Sequence, residues 1–562
     1  MVLHARCGCP LDLVQIDEHT WSLNPPHGLH ENQVMSSRRV DRRSSTEMLR
    51  PCIATMDCPG DGDKEQRMLL ARLFALQAWL VPRTPKAQLS PISQLPSELL
   101  EAIFRFGLGP PEHSSSLPFE LAVSGVCRAW RAVALGFPEL WTHIYITART
   151  PIHHMFFYGM RSAQLPLFVD FCHWPTLKRS REHLSTEAFL DTILLNVRAH
   201  SHRFIRFATW DVSDTAMLSI MAGLIGVHAP MLRHVSVHGS PSVYSTYYTG
   251  RHHWFPFPFL MRNAPLMSHL EITHLPIETL QSSMRLSSSC LISLTLTASE
   301  DFSTQPSSLP AYLIGFEDLI LLLRSATNLT NLALYGPVIE FDDDAFIESP
   351  SSRVRLPALR TLILHCRQPG YRYHADFLSA ITAPVLTRLE IPWHDDLESE
   401  LPYEDLTSYL FDDQGHHKFA SVRHLYLHDS VVKWQLPTRS FIRAFPMVED
   451  VTLGGNDVWK FVAALRGLVC RDGPGANETR PATVAWWFHV RKLTLKDFDL
   501  KAWKGCVRGL VIWLAARREQ HGERIVVRVE GVALADREHW FLEHLEKLKR
   551  YAEVENELSV SG

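Results

Sequence analysis

The feature that most constrains this chain is a short pattern, aliphatic-x-x-aliphatic-x-aliphatic, that recurs from residue 232 to residue 495. It reads Leu232/Val235/Val237, Met267/Leu270/Ile272, Leu291/Leu294/Leu296, Leu329/Leu332/Leu334 and Leu359/Leu362/Leu364. It continues as Leu386/Leu389/Ile391, Val422/Leu425/Leu427, Val448/Val451/Leu453 and Val490/Leu493/Leu495, with poorer copies at Phe204/Phe207 and Val527/Val529. First positions of the nine clear copies lie 35, 24, 38, 30, 27, 36, 26 and 42 residues apart. That spacing excludes a strict tandem array and fits one strand plus one helix-and-loop segment of variable length per unit. No unit of this size buries its apolar side alone, so the units must stack as a solenoid. Helices are expected between strands at 186–199, 315–326, 374–381, 403–411, 440–445, 458–469 and 501–518. Leu542, Leu545 and Leu548, alternating with charges, predict a closing amphipathic helix and tail over 536–562.

A different pattern occupies residues 91–147. Pro96 suits a first helical turn, and Glu98 favours the positive end of a helix. Leu95, Leu99, Leu100, Ile103 and Phe104 then line one face, and Gly107, Gly109, Pro110 and Pro111 stop the run. After a polar loop, Val123, Val126, Cys127, Trp130, Val133 and Ala134 make a second apolar face, with Arg128 and Arg131 opposite. Pro138, Leu140 and Trp141 close the unit, and Ile144 and Ile146 begin a strand-like alternation. Periodicity by itself predicts a helical hairpin packed on the segment C-terminal to it.

The residues Leu95-Pro96-x-Glu98-Leu99-Leu100-x-x-Ile103-Phe104, Val126-Cys127-Arg128-x-Trp130-Arg131 and Pro138-x-Leu140-Trp141 resemble the F-box. The similarity is to F-box-like proteins abundant in mushroom-forming fungi. It implies a three-helix module that docks on the Skp adaptor, and through it a cullin, of an SCF-type ubiquitin ligase, while the rest of the chain recruits a protein substrate. It puts Leu95, Pro96, Leu99, Leu100, Ile103 and Phe104 at the adaptor contact, with some of them shared with the module's own core. It puts Val126, Cys127, Trp130, Leu140 and Trp141 in the module's core, with Trp130, Leu140 and Trp141 fastening it to the first repeat. One departure is the loop at 107–117, longer than in compact F-boxes.

The repeats look like degenerate leucine-rich repeats in which the Asn or Cys usual after the strand is mostly missing. The expected fold is therefore α/β: a small all-α F-box-like module at 91–141, then an irregular leucine-rich-repeat solenoid at 142–535. Parallel strands would form its concave side, and helices and loops its convex side. A repeat-based interaction scaffold whose F-box-like unit is only structural is the alternative.

A hydrophobic content of 46% with 21% charged residues describes an ordinary globular chain. A net charge of −4 lies too near neutrality to argue for nucleic acid or a membrane surface as partner. Ten cysteines without framework spacing fit reduced thiols, and no secretory signal or long apolar run is apparent, so the cytoplasm, the nucleus or both are expected. Residues 1–63 lack sustained periodicity and are expected to be disordered. Arg38, Arg39, Arg42 and Arg43 beside Ser44 and Ser45 read as a solvated tail rather than an import or phosphorylation signal. Leu69, Leu70, Leu73, Phe74, Leu76, Leu80 and Val81 predict an amphipathic helix at 64–85 that packs beside the F-box-like module.

If the aliphatics of each strand point inward, the residues flanking them form three outward columns. Candidate substrate-facing residues are His234, His269, Glu271, Tyr335, Arg388, Glu390, His424 and Tyr426. Three cations and three carboxylates cancel over the 27 column positions, so a phosphate-tracking groove is not expected. Six of the 27 are histidines, against 30 in all 562 residues, which reads as tolerance of a crowded strand surface before it reads as a tuned ligand face. The aromatic insertion at 251–259 reads as a hydrophobic plug. No nucleophile-elbow, phosphate-loop or zinc-protease motif occurs, and the adjacent side chains of the His-His pairs diverge on a strand or helix. No cofactor, metal or catalytic centre is expected in this chain.

Overall fold

The computed structural model describes residues 95–108, 118–174, 183–239, 263–274, 288–298, 314–340, 353–365, 370–392, 409–412, 414–428, 444–454, 462, 487, 489–496, 500–530 and 539–557. The tail at 1–63, the helix expected at 64–85, the insertion at 251–259, and most of the helices expected at 403–411, 440–445 and 458–469 lie outside the described residues. The chain divides into two compact units, Met1–Leu140 and Trp141–Gly562.

Three helices form the described part of the first unit: α1 (Ser97–Gly107), α2 (Phe119–Ser124) and α3 (Arg128–Gly136). Pro96 is the N-cap of α1 rather than a first-turn residue, and its carbonyl accepts the Leu99 and Leu100 amides at 3.1 Å each. The apolar face expected as one helix over 123–134 is two helices. The chain turns at Gly125 and Val126, and Cys127 caps α3 by accepting the Trp130 N–H on Sγ at 3.5 Å. A side-chain acceptor at this position satisfies one of the amides that a helix start leaves without a partner. The end of α2 is satisfied from the other side, where Arg131 donates from Nε to the Ser124 carbonyl at 2.9 Å.

The second unit holds a continuous sheet. Its strands begin with β1 (His143–Ile146), β2 (Leu167–Trp174), β3 (Phe204–Val212), β4 (His234–Gly239), β5 (His269–Thr273) and β6 (Ser293–Thr297). Then come β7 (Ile314–Gly315), β8 (Asn331–Tyr335), β9 (Ile339–Glu340), β10 (Val354–Arg355), β11 (Thr361–His365) and β12 (Ile381–Thr382). The series ends with β13 (Arg388–Pro392), β14 (His424–His428), β15 (Asp450–Gly454), β16 (Lys492–Lys496), β17 (Ile525–Glu530) and β18 (Ala552–Glu557). Fourteen of these pair in chain order into one sheet, while β7 with β9 and β10 with β12 make separate short ladders. Every rung of the long sheet is parallel.

Each of the nine clear sequence copies ends in a strand, and neighbouring strands are in matched register. Val235, Leu270, Leu294, Leu332, Leu362, Leu389, Leu425, Val451 and Leu493 occupy successive rungs and are all buried. Burying one such side chain contributes about 1.5–3 kcal/mol, so the aliphatic columns are the main source of stability. Two local devices hold the register. Ala229-Pro230, Ala264-Pro265, Leu356-Pro357 and Ala383-Pro384 each start a turn that returns an amide to the first carbonyl; the Leu232 N–H meets the Ala229 oxygen at 3.1 Å. Proline pre-sets the second position of such a turn. In the long sheet from β4 to β15 the carbonyl just before the strand also accepts two amides at the start of the next one, as Thr330 does from Arg360 (2.8 Å) and Thr361 (2.9 Å).

Helices α4 (Ile152–Arg161), α5 (His183–Ala199), α6 (Asp214–Gly223), α7 (Phe316–Ser325), α8 (Gly370–Ala380), α9 (Leu500–His521) and α10 (His539–Lys549) connect strands. The sheet runs beyond the nine copies at both ends. In β2 and β3 the rungs that continue the Val235 and Val237 columns hold Val169 and Phe171, then Phe207 and Thr209, which breaks the leucine pattern. At the other end, the helix-and-tail expectation is corrected. α10 stops at Lys549, and the residues after it add β18 to β17 in parallel register. Among the described residues no helix is long and apolar enough to cross a membrane.

Candidate interaction surfaces

The apolar residues of α1 divide between two faces. Leu100 and Phe104 are buried, and Phe104 meets Trp130 edge-on at 5.2 Å and Phe119 at 6.5 Å. Leu99 and Ile103, by contrast, remain 52% and 42% exposed, and Phe106 is 93% exposed. Leu95 is half-buried and Pro96 is exposed. Of the six residues expected at the adaptor contact, Leu100 and Phe104 are the ones shared with the module's core. Leu100 and Phe104 hold the module together, while Leu99 and Ile103 face out. Phe106 was missed because it stands outside the 95/99/100/103/104 face. Its spacing of three from Ile103 and seven from Leu99 puts it on their stripe.

The residues expected in the module's core also need correction. Val126 is only half-buried, in the turn between α2 and α3, while Cys127, Trp130 and Leu140 are buried. Trp130 packs on Phe104 inside the helical module. Trp141 belongs to the second unit, where it meets Tyr158 edge-on at 5.1 Å and lies under the Arg161 guanidinium at 4.5 Å. Within the first unit, Arg105 ties α1 to the turn at Pro138–Trp141 by donating to Glu139 at 2.7 Å and 3.0 Å. That shared hydrogen bond raises the Arg105 pKa and holds the Glu139 carboxyl below its ordinary range.

The outward face of the long sheet carries the second set of candidates. The register places His234, His269, Ser293, Asn331, Thr361, Arg388, His424, Asp450 and Lys492 on successive rungs of one column. The middle column runs through Ser236, Glu271, Thr295, Ala333, Ile363, Glu390, Tyr426, Thr452 and Thr494. His234 and His269 stack at 4.3 Å, and Tyr335 lies 5.7 Å from His365 on the next rung. Arg388 pairs with Glu390 along its own strand, and His424 meets Asp450 of the next strand at 2.9 Å. Tyr426 sits beside Glu390 in the register.

Sequence reasoning missed the part of this face on β1–β3. There His143 stacks on Phe168 at 4.3 Å, Arg206 approaches Asp170 at 3.8 Å, and Trp210 stacks on His238 at 4.0 Å. Alternation in Leu167–Trp174 was the available signal. Burial, with Arg206 nearby, lowers the pKa of His143 and His234, and burial alone lowers that of His269. These rings are therefore neutral stacking groups at pH 7. Among the described residues no group of three or more His, Cys, Asp or Glu is placed to hold a metal ion.

Residues 92–147 match the F-box-like family, so the chain carries an F-box-like domain there. Among curated proteins, none matches the chain.

Proposed function

We propose that this chain is a substrate-recognition adaptor of an SCF-type cullin-RING ubiquitin ligase. Its F-box-like domain docks on the Skp adaptor, and its sheet, read as degenerate leucine-rich repeats, presents a protein substrate. The observation that carries this reading is the outward stripe Leu99, Ile103 and Phe106 on α1 of an F-box-like domain, beside a core already filled by Leu100 and Phe104. Exposed apolar residues at helical spacing on a folded module mark a surface made for a partner. In this reading the ligase chemistry belongs to partner chains, and the protein works in the cytoplasm, the nucleus or both.

The test is recovery of a Skp-type adaptor by the tagged full-length protein. Wild type is expected to recover it, and Ile103→Asp with Phe106→Asp is expected to lose it without a change in melting temperature. Failure of the wild type would leave an interaction scaffold whose F-box-like domain is structural only. Undiminished recovery by the double variant would remove the stripe from the contact.

A further inference from the structure

We infer that Glu271 anchors a cationic side chain, lysine or arginine, of an extended substrate segment laid across β3–β6 between the ring pairs Trp210–His238 and His234–His269. This rests on reading the outward sheet face as the substrate face, and it adds the chemical class of what binds there.

The register defines a trough. Its floor, on consecutive rungs of the middle column, is Ala208, Ser236 and Glu271. On one side stand Arg206, His234 and His269, and on the other Trp210 and His238. Each wall lies two residues along the strand from the floor, so the Cα rows of the two walls are about 13 Å apart. Less the side chains themselves, that width takes an extended chain but not a helix of about 10–12 Å diameter.

The charges on this face are not evenly matched. Asp170 has Arg206 beside it, and Glu390 has Arg388. Among the described residues, the hydrogen-bonding and ionic neighbours of Glu271 are the Ser236 hydroxyl at 2.6 Å and the His238 ring at 3.7 Å. The Ser236 hydroxyl has one proton. Donating it to Glu271 Oε2 leaves Ser236 Oγ to accept from His238 Nε2–H at 2.7 Å. A relay from His238 through Ser236 thus aims the carboxylate, and among the described residues no arginine or lysine pairs with it. The Glu271 side chain is also 43% exposed, within reach of a partner.

His234 and His269 do not supply the missing charge, because their burial favours the neutral ring. Their stacked faces are suited instead to the flat side of a guanidinium. An anionic guest, by contrast, would set its charge against Glu271. The fit is to a basic, extended peptide.

The test uses purified full-length protein and an oriented library of unstructured decapeptides with one fixed position. Wild type is expected to enrich lysine or arginine at the fixed position over glutamine. Glu271→Gln, which keeps an acceptor for Ser236, is expected to reduce that preference about tenfold, the scale of one hydrogen bond to a charged group. Asp450→Asn, on the same face, is expected to leave it unchanged. Absence of basic selection by wild type, or equal selection by Glu271→Gln with an unchanged melting temperature, overturns the proposal. Adaptor recovery measured on the same preparations reports on the ligase reading separately, so a chain that binds the adaptor yet shows no basic selection overturns the anchor alone.

Discussion

Phe104 and Trp130 meet edge-on, with ring centroids 5.2 Å apart and planes inclined at 64°, and so lock α1 against α3. Two residues along α1 from Phe104, Phe106 points outward. Trp130→Ala is expected to cost the module about 3–5 kcal/mol, the range for removing a large buried aromatic. Phe106→Ala is expected to stay within about 0.5 kcal/mol of wild type, as exposed positions do. Hydrogen exchange of the α1 amides measures both. Equal loss of protection in the two variants would contradict the division of this helix into an inner and an outer face.

Arg203 is expected to be one of the costliest single positions in the second unit. Its buried guanidinium donates to the Leu165 carbonyl at 2.9 Å and 2.6 Å, to those of Gly159 and Ser162 at 3.2 Å each, and to Ser162 Oγ at 2.7 Å. It thereby closes the end of α4, where carbonyls lack helical partners. Arg203→Met should destabilise by at least about 3 kcal/mol, because it leaves several buried acceptors without donors. Arg203→Lys should recover only part, since an ammonium lacks the planar fork. Urea midpoints of the three proteins decide this.

His154 gives the fold an acid-sensitive point. It stacks on Tyr158 at 4.2 Å, and burial, with His153 nearby, lowers its pKa to about 4. Between pH 4 and 6.5 the unfolded chain therefore binds the proton that the folded chain refuses. Stability contributed by this site rises with pH through that window and is lost as acid is added, by up to roughly 3 kcal/mol. His154→Phe is expected to flatten the acid limb of a stability profile between pH 4 and 6.5. An unchanged limb would show that the ring titrates normally.

Gly336 is placed where no other residue fits. Its φ is +75°, and a Cβ there would lie 2.5 Å from the Ala298 carbonyl oxygen of the neighbouring strand exit. Gly336→Ala is expected to lower stability by about 1–3 kcal/mol, through both the backbone conformation and the contact. Thermal unfolding measures it, and a neutral or stabilising result would place the β8 exit elsewhere.

The sheet was readable wherever aliphatic residues fill the inward rungs, from Val235 to Leu495, because side-chain alternation and register come from the same pattern. It was only faintly readable in β3, where Phe207 and Thr209 take those rungs, and not in β2, where Val169 and Phe171 do, or in β18, where Ala552 and Val554 leave only a faint alternation among glutamates. In the helical module the apolar periodicity was correct but ambiguous. A period of 3.6 does not say which of two adjacent apolar residues, Leu99 or Leu100, Ile103 or Phe104, turns inward. Packing of Phe104 on Trp130 and Phe119 settles that. The break at Cys127 was hidden because a capping cysteine is itself apolar. On the sheet face, residue types alone showed the excess of histidine, but only the register showed which rings stack and that Glu271 lies between two such stacks.

At the last rung, β18 pairs with β17 and, among the described strands, with nothing beyond. A strand bonded on one side is a template for another chain, and a head-to-tail contact that does not close propagates into a fibre. Glu553 and Glu555 are exposed on this strand. Their carboxylates put negative charge on this edge strand, one of the ways in which an edge is kept from pairing with another chain. The glutamate-rich segment that obscured β18 in the sequence thus charges the edge at which further strand pairing would begin.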